Sequence, residues 1–303
     1  MKKITICITS YNKPQKLIYL TKYLIKNISN EMQIYVFDNN SKSKTQDYLF
    51  SLKNKKIIKL FISKKNYGEI YLIEKIQKTV KSKYFIILAE DDFININYLK
   101  VCMNIMDTNN KLNLIFSKTL IYNPKKSYYY LLNTNLQSKK IYKPSVKNLE
   151  KLSVCNIHLS SIFFRSKINI DKNIFTINII DEQIFINYLA SKNYFTFLNE
   201  IGSSFTVDKF SQSYCREIES DSIDKSLKKD LSFLKKNIRD KKILEFLLKF
   251  SNKIHMQYNS YKSHNEKLPY IKILLRYFVS FFIIKIHSHN IGIFKNFYLK
   301  YDR

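Results

Sequence analysis

Residues Tyr84–Phe93 read YFIILAEDDF. The run from Tyr84 to Ala89 carries no charged or strongly polar break, and it ends in Glu90, Asp91 and Asp92. An apolar run of this length suits a central parallel strand covered on both faces. Three consecutive carboxylates at its end are costly unless something positive meets them. In open α/β sheets, ligands bind at the carboxyl ends of strands. The acids therefore stand where a ligand is expected, and a divalent cation carrying a phosphate ester is a natural partner. An acidic turn that caps the following helix is the plainer reading of the same residues.

Outward from this stretch the chain alternates. Lys3–Thr9, Met32–Phe37, Ile57–Ile62 and Leu112–Ser117 read as strands. Leu17, Leu20, Leu24 and Ile28 recur at helical spacing behind Pro14, which suits a first helical turn. Helices are expected over 42–52, 69–80 and 95–106. Strands alternating with helices of about 10–15 residues predict an α/β fold, a mixed but mostly parallel sheet with helices on both faces. Past Pro124 the pattern weakens to a loop or hairpin region, then a strand over 160–165, a helix over 181–190 and a short strand over 194–198. From Leu227 onward the chain reads as helical and basic. The organisation expected is a catalytic domain over 1–210, its halves about 1–120 and 121–210, followed by a C-terminal region over 211–303.

The 303 residues are 45% hydrophobic and 15% aromatic, so the chain can bury a full core. The net charge is +28, but only five of the 52 basic residues are arginine. Arginine is the residue suited to forked recognition of phosphates and bases. The charge therefore speaks for attraction to anionic surfaces more than for nucleic acid. Four cysteines (7, 102, 155 and 215) show no metal-ligand spacing and imply a reducing compartment. The start at Met1 leads directly into a strand with no signal peptide, so a cytoplasmic protein is expected.

Four strand ends carry polar or special residues: Thr9-Ser10-Tyr11-Asn12, Asp38-Asn39-Asn40-Ser41, Asn66-Tyr67-Gly68 and Glu90-Asp91-Asp92. Each alone is ordinary turn chemistry. Gly68 is one of only three glycines, placed where a ligand approaches the backbone or φ turns positive. All four at one sheet edge would form a nucleotide cleft closed by a metal site.

This motif order resembles a GT-A glycosyltransferase of the family 2 type, well over the first 120 residues and loosely to Gly202. The resemblance implies an inverting transferase that uses a nucleotide-diphospho-sugar, a UDP-sugar first of all, with Mn2+ or Mg2+. It places Thr9, Tyr11, Asp38, Asn66, Gly68, Glu90 and Asp91 around the donor. It gives the metal to Asp92 first and Asp91 second, as in the Glu-Asp-Asp form of some animal N-acetylglucosaminyltransferases. The usual first Asp of the motif is replaced by Ala89. The catalytic base falls to Glu182 or Asp181, the acidic pair before an amphipathic helix, where helix capping is the competing reading.

Three further residues are ambiguous. His158 is structural or faces the diphosphate or acceptor. Arg165 pairs with phosphate or with a neighbouring acid, and Asp208 lines the cleft only if the loop after Gly202 turns inward. The stretch Leu268–Ile286 is apolar but carries Lys272, Arg276 and Lys285, so it reads as an interfacial or domain-packed helix and not a span. The whole reads as a bacterial-style glycosyltransferase of surface polysaccharide, lipooligosaccharide or capsule synthesis. Its acceptor would be a glycan or lipid-linked glycan, and it would sit peripherally at the inner face of the membrane. The rivals are a nucleic-acid-binding protein and a metal-dependent nucleotidyltransferase. The latter usually has a glycine-rich phosphate loop near its start, which is lacking before Gly68.

Overall fold

Alternating registers set the sheet. The computed structural model describes residues 2–123, 128–131, 136–153, 155, 157–168, 182–206, 228 and 231–263. Strand β1 (Ile4–Ser10) sends Ile4, Ile6 and Ile8 into one core and Cys7 into the other. Strand β2 (Met32–Asp38) splits likewise, with Ile34 and Val36 opposite Tyr35 and Phe37. Strand β4 (Tyr84–Ala89) places Tyr84, Ile86 and Leu88 on the first face and Phe85 and Ile87 on the second. Side chains two apart share a face, so a wholly apolar strand needs cover on both sides.

That cover comes from helices. On the first face α1 (Pro14–Asn27) buries Leu17, Leu20 and Leu24, with Pro14 at its first turn as expected. Helices α2 (Ser43–Leu52) and α4 (Ile96–Thr108) complete that layer through Leu49, Leu99, Cys102 and Met106. The second face is covered by α3 (Glu69–Thr79), α5 (Val146–Ser153) and α6 (Glu182–Lys192) through Ile76, Leu149, Ile184 and Leu189.

The main path of the sheet runs β3-β2-β1-β4-β9-β6-β10-β5, where β3 is Ile58–Ile62, β5 Phe93–Ile94, β6 Leu112–Asn123, β9 Phe163–Arg165 and β10 Tyr194–Thr206. Two strands lie off that path: β7 (Tyr128–Leu131) on β6 and β8 (Ile141–Tyr142) on β10. The pairs β1–β2, β1–β4, β2–β3 and β6–β10 are parallel. Strand β9 is antiparallel to both neighbours, β4 and β6. The strand over 84–89 is therefore central but parallel on one side only. Register aligns Ser10 with Asp38 and Thr9 with Ala89, so three strand ends finish level.

Two strands run longer than the sequence pattern suggests. Strand β6 continues past Ser117, and β10 past Leu198. Asn199-Glu200 and Gly202 look like turn residues, yet they fall where the β10–β6 register shifts, and the irregularities absorb them. Among the described residues, Arg165 is engaged by backbone carbonyls and not by an acid. Its guanidinium donates to the carbonyls of Leu112 (2.8 Å), Met106 (2.8 Å) and Asn109 (3.0 Å), closing the end of α4. Because β9 runs antiparallel, its last residue pairs with Tyr84, at the start of β4 and the far end from the acids.

Among the described residues, the C-terminal region contributes a short helical stretch, 231–237, and α7 (Lys241–Ser263). Phe233, Leu234, Ile243 and Leu247 are buried in the same cluster as α5 and α6. No helix of the described residues is long and apolar enough to cross a membrane. Leu268–Ile286 lies outside the described residues.

At Gly202 the sheet leaves no room for a side chain. A Cβ there would stand 2.2 Å from Ser117 Oγ and 2.9 Å from the Tyr98 ring. Tyr98 is fixed by its hydroxyl, which donates to the Ser161 carbonyl at 2.8 Å. Gly202→Ala should therefore cost about 1–3 kcal/mol by overpacking. Urea unfolding checks this, and an unchanged midpoint would contradict the packing described.

Candidate active site

Four turns meet at the level edge of the sheet, and side-chain hydrogen bonds lock them together. Ser10 Oγ donates to Glu90 Oε2 (2.6 Å) and the Tyr11 N–H donates to Glu90 Oε1 (2.9 Å). The Asn12 N–H donates to Ser41 Oγ (2.9 Å), and Asn12 Oδ1 accepts the Lys42 N–H (2.7 Å). Asn39 Nδ2 donates to Asn66 Oδ1 (2.6 Å), and Asn39 Oδ1 accepts the Tyr67 N–H (3.0 Å). Asn12 and Asn40 adopt positive φ (61° and 63°), which asparagine tolerates better than most residues. Gly68 has φ 86° directly before α3, as its scarcity suggested.

Each candidate donor residue has a definite place. Tyr11 and Tyr67 are exposed, each at 42%, on the turns that flank the β2 turn. Thr9 Oγ1 lies 3.3 Å from the Leu88 carbonyl. Asp38 is fully buried; its carboxylate accepts the Ser41 N–H (2.9 Å) and O–H (2.5 Å), so it shapes the turn that carries Asn39. Asn66 Oδ1 also accepts the Gly68 N–H at 2.9 Å.

The three acids divide. Glu90, Asp91 and Asp92 are all buried, 3–8% exposed. Glu90 is spent on the β1 turn; burial pushes its carboxyl up to about 7, against the lowering effect of the Ser10 and Tyr11 donors. Asp91 Oδ2 meets Lys13 Nζ at 2.6 Å and Lys16 Nζ at 3.7 Å. Asp92 Oδ2 accepts the Ala89 N–H at 2.9 Å. Burial raises the Asp92 carboxyl well above the usual aspartate range; the charges of Asp91 and Glu182 add to the rise and His158 opposes it.

Glu182 reaches the same region from the other half of the sheet. Its Oε1 accepts the Leu159 N–H (2.5 Å) and lies 3.8 Å from His158 Nε2. Gln183 Nε2 donates to the Ile157 carbonyl at 2.7 Å, holding the first turn of α6 to the same segment. Asp181 and Asp208 lie outside the described residues. Among the described residues, no three His, Cys, Asp or Glu side chains form a ready-made metal cage.

Sequence reasoning placed Ser10 and Ser41 in the strand-end turns without a role of their own, and it missed Lys13 and Lys16. A usable signal existed for the lysines. They sit three apart at the start of α1, so both reach one side of the helix, directly after the Thr9–Asn12 turn.

A mixed sheet with interlocked polar turns at its carboxyl edge and buried acids at their centre is the arrangement of a GT-A fold. Residues 5–171 match the model of glycosyl transferase family 2, and the chain belongs to that family. It is a glycosyltransferase. No curated protein matches the chain. Among solved structures it is similar to S. aureus TarS 1–349 in complex with UDP-GlcNAc, at TM-score 0.63 and 16% identity over 88% of this chain and 77% of that one. TarS 1–349 in complex with UDP gives TM-score 0.61 and 18% identity, over 88% and 76%. The mannosyltransferase PcManGT from Pyrobaculum calidifontis, in complex with GDP-Man and Mn2+, gives 0.51 and 10%, over 91% and 79%.

The raised Glu90 carboxyl sets a pH dependence. A folded pKa of about 7 exceeds the ordinary glutamate value. The folded chain therefore binds more protons, and the stability contributed is full at acid pH and lost as pH rises towards 7. Glu90→Gln removes that loss while keeping a partner for Tyr11. In urea unfolding without divalent cations, the variant should gain on wild type between about pH 5 and about pH 8, by up to ~3 kcal/mol. A difference that does not vary with pH would show that Glu90 is not raised.

Proposed function

We propose that the protein transfers a sugar from a nucleotide-diphospho-sugar, a UDP-sugar first of all, to a hydroxyl of a glycan acceptor, with inversion and with help from Mn2+ or Mg2+. One observation carries this reading. The turns that cradle a nucleotide, the buried Asp92 and the carboxylate of Glu182 converge on one cleft, although they come from both halves of the sheet. The resemblance to proteins solved with UDP-GlcNAc and with GDP-Man and Mn2+ supports it.

The residues present fit a hard cation at Asp92. It is a buried carboxylate that burial holds above its ordinary range. Magnesium and manganese sites of this kind take one or two carboxylates and complete their shell with water and substrate phosphate. Asp91 fits less well, because Lys13 already neutralises it. When bound, the cation offsets the charge that builds on the departing diphosphate. Lys13 and Lys16 add positive charge beside it. Tyr11 offers an exposed ring and Tyr67 one stacked on Tyr71; the Asn12–Ser41 and Asn39–Asn66 bonds tie each of their turns to the β2 turn between them. Glu182 accepts the proton of the attacking hydroxyl.

Thermal unfolding with a panel of nucleotide-sugars, with and without Mn2+, tests this reading. Stabilisation by one nucleotide-sugar, enhanced by Mn2+ and with that enhancement lost in Asp92→Asn, is expected. With that donor, Glu182→Gln should cut turnover about a hundredfold while donor stabilisation persists. No response to any nucleotide-sugar would overturn the reading.

We propose also that the basic C-terminal region holds the enzyme at the inner face of the membrane, near a lipid-linked acceptor of polysaccharide or oligosaccharide synthesis. Between Lys225 and Arg303 there are 18 basic residues against five acidic ones. Because Phe233, Leu234, Ile238, Ile243 and Leu247 belong to the core, the informative truncation starts after residue 263. The full chain should sediment with phosphatidylglycerol vesicles and not with phosphatidylcholine vesicles, and removal of 264–303 should weaken sedimentation several-fold. Equal sedimentation of both chains would assign the contact elsewhere.

A further inference from the structure

We infer that His158 is a positioning residue for Glu182: its Nε2–H, aimed at Glu182 Oε1, holds the carboxylate that takes the acceptor's proton. The inference rests on the assignment of Glu182 as the base.

The tautomer follows from the neighbours. His158 stands at the entrance of the 3-10 turn Leu159–Ser161. Its Nδ1 accepts the Ser160 N–H (3.4 Å) and lies 2.7 Å from Ser160 Oγ. A ring nitrogen that accepts a backbone N–H carries no proton, so in the neutral imidazole the proton sits on Nε2. Burial lowers the His158 pKa while the charges of Asp92, Glu69 and Asp91 oppose that fall.

The orientation is held at two further places, both on β10. The ring stacks on Phe205, with centroids 4.0 Å apart and planes at 12°. Ser160 Oγ lies 3.3 Å from Ser203 Oγ, and both serines are buried. A histidine kept only for packing has no need of a fixed edge. Here the fixed edge turns Nε2 towards Glu182 Oε1, 3.8 Å away. The same oxygen accepts the Leu159 N–H. Consecutive residues thus face one carboxylate oxygen, Leu159 through a hydrogen bond and His158 from 3.8 Å. The longer contact closes when the cleft is filled, as catalytic hydrogen bonds commonly tighten on substrate binding.

The test compares His158→Phe, which keeps the flat ring against Phe205 but loses both nitrogens, with His158→Gln, which keeps a side-chain N–H. With the nucleotide-sugar identified by thermal stabilisation, kcat should fall tenfold or more in His158→Phe, with the donor KM within twofold. His158→Gln should recover at least a third of the lost activity. Nitrogen-15 spectra of the imidazole provide a readout that needs no donor. The Nε2–H tautomer should be seen, and its signal should move in Glu182→Gln. Turnover lost in Glu182→Gln but intact in His158→Phe would overturn the role of His158 alone, as would an Nδ1–H tautomer. Turnover intact in Glu182→Gln would overturn the assignment of the base.

Discussion

Three carboxylates side by side at a strand end, each less than a tenth exposed, form the constraint from which this cleft is built. Buried charge must be neutralised, paired or hydrogen-bonded. The chain uses a different answer for each acid. Glu90 is met by a hydroxyl and an N–H from the neighbouring strand's turn, which ties β4 to β1 just where the ligand edge begins. Asp91 is met by the ammonium groups of Lys13 and Lys16. Asp92 is met by the Ala89 N–H of its own turn and faces His158. The replacement of the family's usual first Asp by Ala89 thus leaves one acid bracing the cleft, one acid paired and one suited to a cation.

Most of the first half was legible because its signals are local. Apolar runs without a break, Leu17, Leu20 and Leu24 behind Pro14, and polar clusters at four strand ends all follow from the period of strand or helix and from turn chemistry. The convergence of the four turns was legible too, since parallel strands bring their carboxyl ends to one edge. What each acid bonds was not. A string of letters shows that Glu90, Asp91 and Asp92 are acids, not which oxygen meets Ser10 and which meets Lys13. Asp38 makes the same point: its carboxylate, expected at the ligand, is fully buried and engaged by Ser41.

The second half was harder for a physical reason. Strand β10 carries bulges, and its residues Asn199, Glu200 and Gly202 have the chemistry of a turn while lying inside a strand. What keeps them extended is pairing with β6, which is non-local and absent from any window of sequence. The basic helices at the end left packing on the domain and contact with a membrane equally open. Their charge pattern is conspicuous, but Ile243 and Leu247 are core residues that complete the cover over α6.

The reversal of β9 joins these threads. SSIFFR reads the same whether its strand runs with its neighbours or against them, and the direction determines what lies at each end. Running antiparallel to β4, β9 enters from the carboxyl edge and leaves at the opposite one. Its exit therefore carries Arg165 to the edge opposite the acids, against the carbonyls that end α4. Its entrance carries His158 and Leu159 to the acid edge, where the Leu159 N–H meets Glu182. A single choice of strand direction thus sends the arginine to the edge opposite the acids and brings the histidine to the acid edge. The donor half presents Asp92 at the end of β4, and the inverted strand beside it presents the backbone that holds Glu182. The separation of the two acids is then fixed by adjacent strands of one sheet, and not by flexible loops from separate domains.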